Sequence, residues 1–209
     1  MMTFPDWLKS RLSNPLPGEQ AHATIWSYPR NSFEDAIKAD PPPRHCAVNV
    51  LVRQEENNYH IGFILRSDFG IHGSQLAFPG GKIEENESQI ECAERETWEE
   101  IGIKNHHYRC AGALSPVFIP PSNMLVFPFI NVLSEDIVIN INTREISDFF
   151  WVPMQQLLPD QIVEKEHYLK AFDSSRVIKG IPIGSHFLWG ATAMISQELS
   201  HLWMEFENQ

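Results

Sequence analysis

Apolar and polar residues alternate through "HCAVNVLVR" at 45 to 53 and "YHIGFILRS" at 59 to 67, with a polar turn between them. That period of two predicts a pair of β-strands. Similar short runs predict strands at Tyr108 to Leu114, Met124 to Leu133, Ile137 to Ile141 and Ile146 to Val152. The period becomes helical between Ser88 and Ile101. There Ile90, Ala93, Thr97 and Ile101 form one arc, while Glu96, Glu99 and Glu100, with Cys92, form another. Ser88 with Glu91 three residues on is a capping-box pattern, and Gly102 supplies the stop. A last helix is predicted through "FLWGATAMISQELSHLWMEF", where Leu188, Ala191, Ile195, Leu199, Leu202 and Phe206 share helical spacing suited to packing on a sheet. Strands with one internal and one terminal helix predict an α/β layered domain with a mixed sheet.

Ahead of this body, residues 1–43 read as an extension: a short helix around Trp7 to Leu12, a polar stretch and a second helix near Phe33 to Lys38. The breaker "DPPPR" ends any helix and leads into a folded domain over 44–209. A chain of 209 residues suits one such domain. The formal charge of -11 argues against nucleic acid or an anionic membrane as partner, since both need clustered Lys and Arg. Cys46, Cys92 and Cys110 match no CxxC or zinc spacing and read as buried, reduced thiols. No stretch reaches membrane-spanning length, and a cytoplasmic protein is the expectation.

One feature of the pattern looks unfavourable. Glu96, Glu99 and Glu100 fall within an arc of roughly 100°, and like charges three and four apart on a helix repel. On the helix alone a solvated acidic face would explain them. Just upstream, however, "FPGGK" at 78 to 82 places two glycines where backbone carbonyls can approach that face. Carboxylates gathered at one spot call for a divalent cation, and Mg²⁺ favours oxygen ligands.

Written out, "GKIEENESQIECAERETWEEIGI" from Gly81 to Ile103 resembles the signature of the Nudix hydrolases. Gly81, Glu87, Arg95, Glu96, Glu99, Glu100, Gly102 and Ile103 match, and Thr97 stands at a position where the signature has an apolar residue. Seven fixed residues at a typical frequency of about 6% each coincide in such a chain on the order of once in a million. The resemblance implies a Nudix-type α/β/α sandwich and a Mg²⁺- or Mn²⁺-dependent diphosphatase. It implies Glu96, Glu99 and Glu100 as metal ligands, with the carbonyl of Gly80 or Gly81. One of these carboxylates, or one from a loop, would act as general base toward water, and Glu87 and Arg95 would orient the carboxylates. Glu99, Glu96, Arg95 and Glu87 are thus the implied catalytic set. A metal-masked acidic face also removes the objection of net charge to an anionic substrate.

The helix names the reaction and not the substrate. "RSDFGIHGSQLAFPGGK" at 66 to 82 resembles the segment marking the coenzyme A pyrophosphatase branch of that family, as do "PPSNMLVFPFI", "REISDFFWVP" and "SHFLWGATAMI" further on. The likeness implies cleavage of coenzyme A or its thioesters to 3′,5′-ADP and a phosphopantetheine. Arg66 and Lys82 are candidates for phosphate contacts, and Ser122 and Asn123, in a polar break before a strand, for a loop against the ligand. Ile71 stands where the branch carries a basic residue, and Ser74 replaces its glycine. ADP-ribose, NADH or another dinucleotide are therefore alternative substrates, and a nucleotide sensor that cleaves nothing is a third reading. The extension is expected either to pack on the domain or to bridge a homodimer.

Overall fold

The computed structural model describes residues 2–27, 37–38, 40–56, 58–67, 75–134, 137–169 and 173–209. Most of the helix expected near Phe33 to Lys38, and Ile71, His72 and Ser74 of the glycine-containing stretch, lie outside these residues.

The architecture grows outward from β1 (Arg44–Glu55), whose middle is buried on both sides: Ala47, Asn49, Val50, Leu51 and Val52 have no exposed surface. β1 runs antiparallel to β2 (Asn58–Arg66) and β4 (Gly80–Lys82), and parallel to β7 (Met124–Leu133), from Arg44 opposite Met124 to Val52 opposite Val132. β2 also carries β3 (Leu76–Ala77) and β8 (Ile146–Pro153), while β7 carries β5 (Tyr108–Ala113) and β6 (Val117–Ile119). The result is the expected mixed sheet, with eight strands among the described residues. Because side chains alternate along a strand, β1 serves two cores. Cys46, Val50 and Val52 pack with α4 (Gly190–Glu207) and α1 (Phe4–Arg11), while Ala47 and Leu51 face α3 (Gln89–Ile101). Helices on both faces make the α/β/α sandwich.

Three departures from the sequence reading have physical causes. Ile137 to Ile141 is not a strand: Ile137, Ile139 and Ile141 do pack inward while Val138 is 78% exposed, but the backbone pairs with a helix end instead of a sheet. Asn140 N–H donates to the carbonyl of Ile101 and Asn142 N–H to that of Glu100, satisfying last-turn acceptors of α3. Secondly, residues 187–189 are strand, and α4 starts only at Gly190, where φ of +66° turns the chain. Thirdly, β9 (Val163–Leu169), β10 (Ser174–Ile183) and β11 (His186–Trp189) form a separate antiparallel sheet that the pattern did not announce. Its outer strand reads "VEKEHYL", with charges on both faces, so no alternation survives to be seen. Ile181, Ile183 and Leu188 tie this sheet to the main core.

Residues 4–27 are packed into the domain. Thr3 caps α1, and Phe4, fully buried, meets Trp203 edge-on at 4.9 Å and Tyr59 at 5.4 Å. From α2 (Gly18–Ala23), the Gly18 N–H donates to Glu198 Oε1 at 3.1 Å, and His22 Nε2 lies 3.1 Å from Glu198 Oε2. Ser115 adds its N–H and hydroxyl to the same carboxylate. Burial would raise the Glu198 carboxyl, but the His22, Ser115 and Gly18 interactions outweigh it and hold it below the usual range. Cys46 and Cys92 are free and buried; Cys110, expected inside, is free and exposed on β5. No described helix is long and apolar enough to cross a membrane.

Candidate active site

The frame of α3 is fixed at both ends. Ser88 Oγ accepts from Glu91 N–H, Ser88 N–H donates back to Glu91 Oε2 at 2.8 Å, and Gly102 closes the helix at φ +74°. Ala93, Thr97 and Ile101 are buried toward the sheet as the pattern predicted. The opposite arc turns toward β4.

The register of β4 decides what its glycines offer. Asn49 N–H donates to Pro79 O and Ile83 N–H to His45 O, so 79, 81 and 83 are the hydrogen-bonded positions facing β1. Gly81 spends its peptide groups on that ladder. Gly80 points its own away from β1, and its N–H donates to Glu100 Oε2 at 2.9 Å. Gly81 in turn lies under Glu96, so closely that a Cβ there would overlap the carboxylate.

The acidic arc is organised by Arg95. Its Nε donates to Glu87 Oε1 at 2.7 Å and its Nη1 to Glu96 Oε1 at 2.9 Å and Glu99 Oε2 at 3.1 Å. Nη2 reaches the carbonyl of Lys82 and Glu87 Oε2. The Arg95 hydrogen bond holds the Glu87 carboxyl below its usual range, and Glu87 in turn raises Arg95. Glu100, 3% exposed at its side chain, is different: burial pushes its carboxyl up to about 8, against the Gly80 N–H and Arg66, with Glu96 and Glu145 adding to the rise. Burial also raises Glu96. Cys92 fits beneath, its thiol toward the Gly81 carbonyl, and burial pushes it up to about 12.

In this arrangement the three carboxylates are held apart. Among the described residues no three His, Cys, Asp or Glu side chains are gathered closely enough to hold a metal ion. Arg95 Nη1 stands between Glu96 and Glu99, and Glu100 is turned to Gly80. The donor chemistry nevertheless suits a hard divalent cation. Three carboxylates share one face, two of them desolvated, with Glu99 raising Glu96 and Glu96 raising Glu100, and the Gly80 peptide lies beside them outside the ladder. Glu96, Glu99 and Glu100, with the Gly80 peptide, are the groups that would hold such an ion.

Of the expected substrate contacts, Arg66 is brought in: Nη1 lies 3.9 Å from Glu100 Oε1, with 43% of its side chain exposed. Lys82 is exposed next to Gly81, and its carbonyl holds Arg95. Ser122 and Asn123 contact a different part of the chain. Asn123 Nδ2 donates to the carbonyls of Pro41 and Pro42, and the Ser122 carbonyl accepts from Arg44 Nη2 at 2.8 Å, so this turn braces the start of β1. Glu145, exposed at the lip of β8, is near enough to raise both Glu96 and Glu100. The bracing of α3 by Asn140 and Asn142 was not foreseen, because long-range backbone pairing leaves no period in the sequence.

A family model described as the NUDIX domain matches residues 43–172. The mitochondrial coenzyme A diphosphatase NUDT8 of Mus musculus is 30% identical over 139 residues, 65% of this chain and 66% of that protein, just under two thirds of its length. The uncharacterized Nudix hydrolase NudL of Photorhabdus laumondii is 27% identical over 191 residues, 81% of this chain and 93% of that protein. Among solved structures, the Nudix hydrolase RenU from M. smegmatis aligns with a TM-score of 0.55 at 15% identity, covering 78% of this chain and 87% of that one, which speaks to fold.

Proposed function

The chain belongs to the Nudix family, and with that as premise we propose that it is a metal-dependent pyrophosphohydrolase. Its proposed reaction adds water across the diphosphate of coenzyme A or an acyl-coenzyme A, giving 3′,5′-ADP and a phosphopantetheine. The observation that carries the chemistry is the seating of Glu96 on Gly81 and of Glu100 on the Gly80 N–H. The substrate rests on the segment 66–82 and on the likeness to the mouse coenzyme A diphosphatase.

Glu96, Glu99 and Glu100, with the Gly80 carbonyl favoured over that of Gly81 by its orientation, would hold Mg²⁺ or Mn²⁺. When bound, the ion neutralises phosphate charge and polarises a phosphoryl oxygen. Glu99 is the most exposed of the three, with 48% of its side chain exposed against 16% for Glu96, and it takes the proton of the attacking water. Glu87 anchors Arg95, whose fork keeps Glu96 and Glu99 apart and oriented. Arg66 and Lys82 receive the diphosphate oxygens, and Ser122 and Asn123 shape the outer edge through the turn they build.

Purified protein incubated with coenzyme A and Mg²⁺ should release 3′,5′-ADP, resolved by chromatography. Intact coenzyme A at high enzyme concentration would refute the substrate. A second reading, hydrolysis of ADP-ribose or NADH, is favoured by the apolar Ile71 in place of a basic residue beside a polyanion. A panel of these nucleotides at equal concentration separates the two.

A further inference from the structure

Beneath α3 runs a row of buried polar side chains that the proposed chemistry leaves unused. Asn131 on β7, Asn49 on β1 and Thr97 on α3 are each without exposed surface. Asn131 Nδ2 donates to Asn49 Oδ1 at 2.9 Å, Asn49 Nδ2 donates to Thr97 Oγ1 at 3.0 Å, and Thr97 Oγ1 donates to the Ala93 carbonyl at 2.6 Å. Leu51 is paired with Asn131 and Asn49 with Phe129, so both asparagines stand on the sheet face that α3 covers. Thr97 is the residue that departs from the apolar position of the glutamate-rich motif. Its hydroxyl is used at both ends of its hydrogen-bonding capacity.

We propose that this row is a positioning device, which sets the rotation of α3 about its axis and so seats Glu96 on Gly81 and Glu100 on Gly80. It rests on the reading of that face as a hydrolytic centre. Thr97 directly follows Glu96 and precedes Glu100 by less than one turn, so any turn of the helix moves all three together. A helix is roughly 10–12 Å across with its side chains, and a 20° rotation therefore sweeps its rim by about 2 Å. Apolar packing is non-directional and resists such a rotation weakly. A hydrogen bond weakens steeply once bent, and the Thr97 rotamer is held by its own bond to Ala93. Asn131 Oδ1 has no hydrogen-bond partner among the described residues, so the row ends there. Asn131 therefore acts on Asn49 alone, fixing which way its amide points.

The test uses Thr97→Val, which keeps the shape and removes the hydroxyl, and Thr97→Ser, which keeps the hydroxyl. The double variant Asn49→Val with Asn131→Val serves as a second probe, since Thr97 then stays satisfied through Ala93 and no asparagine is stranded. The first measurement is the exchange rate of the Gly80 amide by NMR, which reports its bond to Glu100 without metal or substrate. Thr97→Val and the double variant should speed it about tenfold or more while β1 amides keep their protection, and Thr97→Ser should match the wild type. The second is steady-state hydrolysis of coenzyme A, where a displacement near 1 Å predicts a kcat loss approaching about 10²-fold with KM changed less than about threefold. Unchanged Gly80 exchange in both apolar variants overturns the positioning role, whatever the substrate proves to be. Faster Gly80 exchange in a protein that cleaves no coenzyme A would retain the role and reject the substrate. A fall in melting temperature with unaltered exchange and kcat would reduce the row to a structural feature and also overturn it.

Discussion

Replacing Gly81 by alanine separates the site from the fold. A Cβ at this position would overlap Glu96, with even the farther oxygen, Oε2, only 2.7 Å away. Carbon and oxygen settle at roughly 3.5 Å, so the carboxylate must retreat by about 1 Å or more. The neighbour that yields is the end of a flexible side chain, and the Gly81 backbone lies outside the left-handed region, so the strand itself is unstrained. Gly→Ala in a compatible backbone stabilises by about 0.4–1 kcal/mol through the unfolded chain, and the melting temperature should hardly fall. Catalysis should suffer far more: a displacement of about 1 Å at the reacting groups removes on the order of 10²-fold in kcat, or roughly 3 kcal/mol of barrier. Gly80→Ala is the control with the opposite outcome. Its φ is +153° and its added Cβ would strike the Ala47 carbonyl and lie 2.7 Å from Val48 Cα, which are backbone atoms that cannot step aside. That variant should melt well below the wild type or not fold. Circular dichroism melts beside steady-state release of 3′,5′-ADP make the comparison. A Gly81→Ala protein that keeps kcat within threefold of wild type would show that Glu96 does not work from its seat on β4.

Other outcomes follow from the same geometry. Glu99→Gln keeps the shape and removes the charge; turnover should drop by about 10²-fold or more while the melting temperature stays, since its exposed pair with Arg95 contributes under about 1 kcal/mol. Glu100 has its folded pKa raised from 4.5 to about 8, so the folded state favours the neutral acid. Its contribution is complete below pH 4.5 and is lost as pH rises toward 8, on the order of 3–5 kcal/mol in metal-free protein. In a chelator at pH 8, urea denaturation should therefore find Glu100→Gln more stable than the wild type, and at pH 4.5 no more stable. Phe4→Ala should lose about 3–5 kcal/mol, measured by the same denaturation, because Phe4 fills a ring cluster with Tyr59, Trp203 and Phe206.

What could be read from the chain was whatever depends on neighbours in sequence. The frame of α3 is local: Ser88 caps through Glu91, Gly102 ends the helix, and 100° per residue assigns Thr97 to the sheet and Glu96, Glu99 and Glu100 to a separate arc. β1, β2, β7 and β8 each carried a run long enough to announce itself. The small sheet of β9, β10 and β11 did not, because β9 is exposed and charged, β10 and β11 bury only a few positions, and the strands are held by pairing that no local period records. The segment 137–141 misled for the reverse reason. Its alternation is real and its isoleucines are inside, yet its backbone donors go to the end of α3, and period alone records burial rather than partner.

The site divides in the same way. Sequence by itself determined the set of carboxylates, their helix face and the glycines before them, since these follow from residue type and helical period. Only the folded chain decided how each is used. The β1–β4 register gave Gly81 to the ladder and left Gly80 to Glu100. Arg95 reached Glu87 across a loop, Asn123 was drawn to the Pro41 and Pro42 carbonyls and the Ser122 carbonyl to Arg44, and Phe4, Trp7, Leu8 and Ile25 entered the core. Hydrogen bonds and burial act between atoms brought close by the fold, and proximity in space is the one quantity that a linear order of residues does not contain.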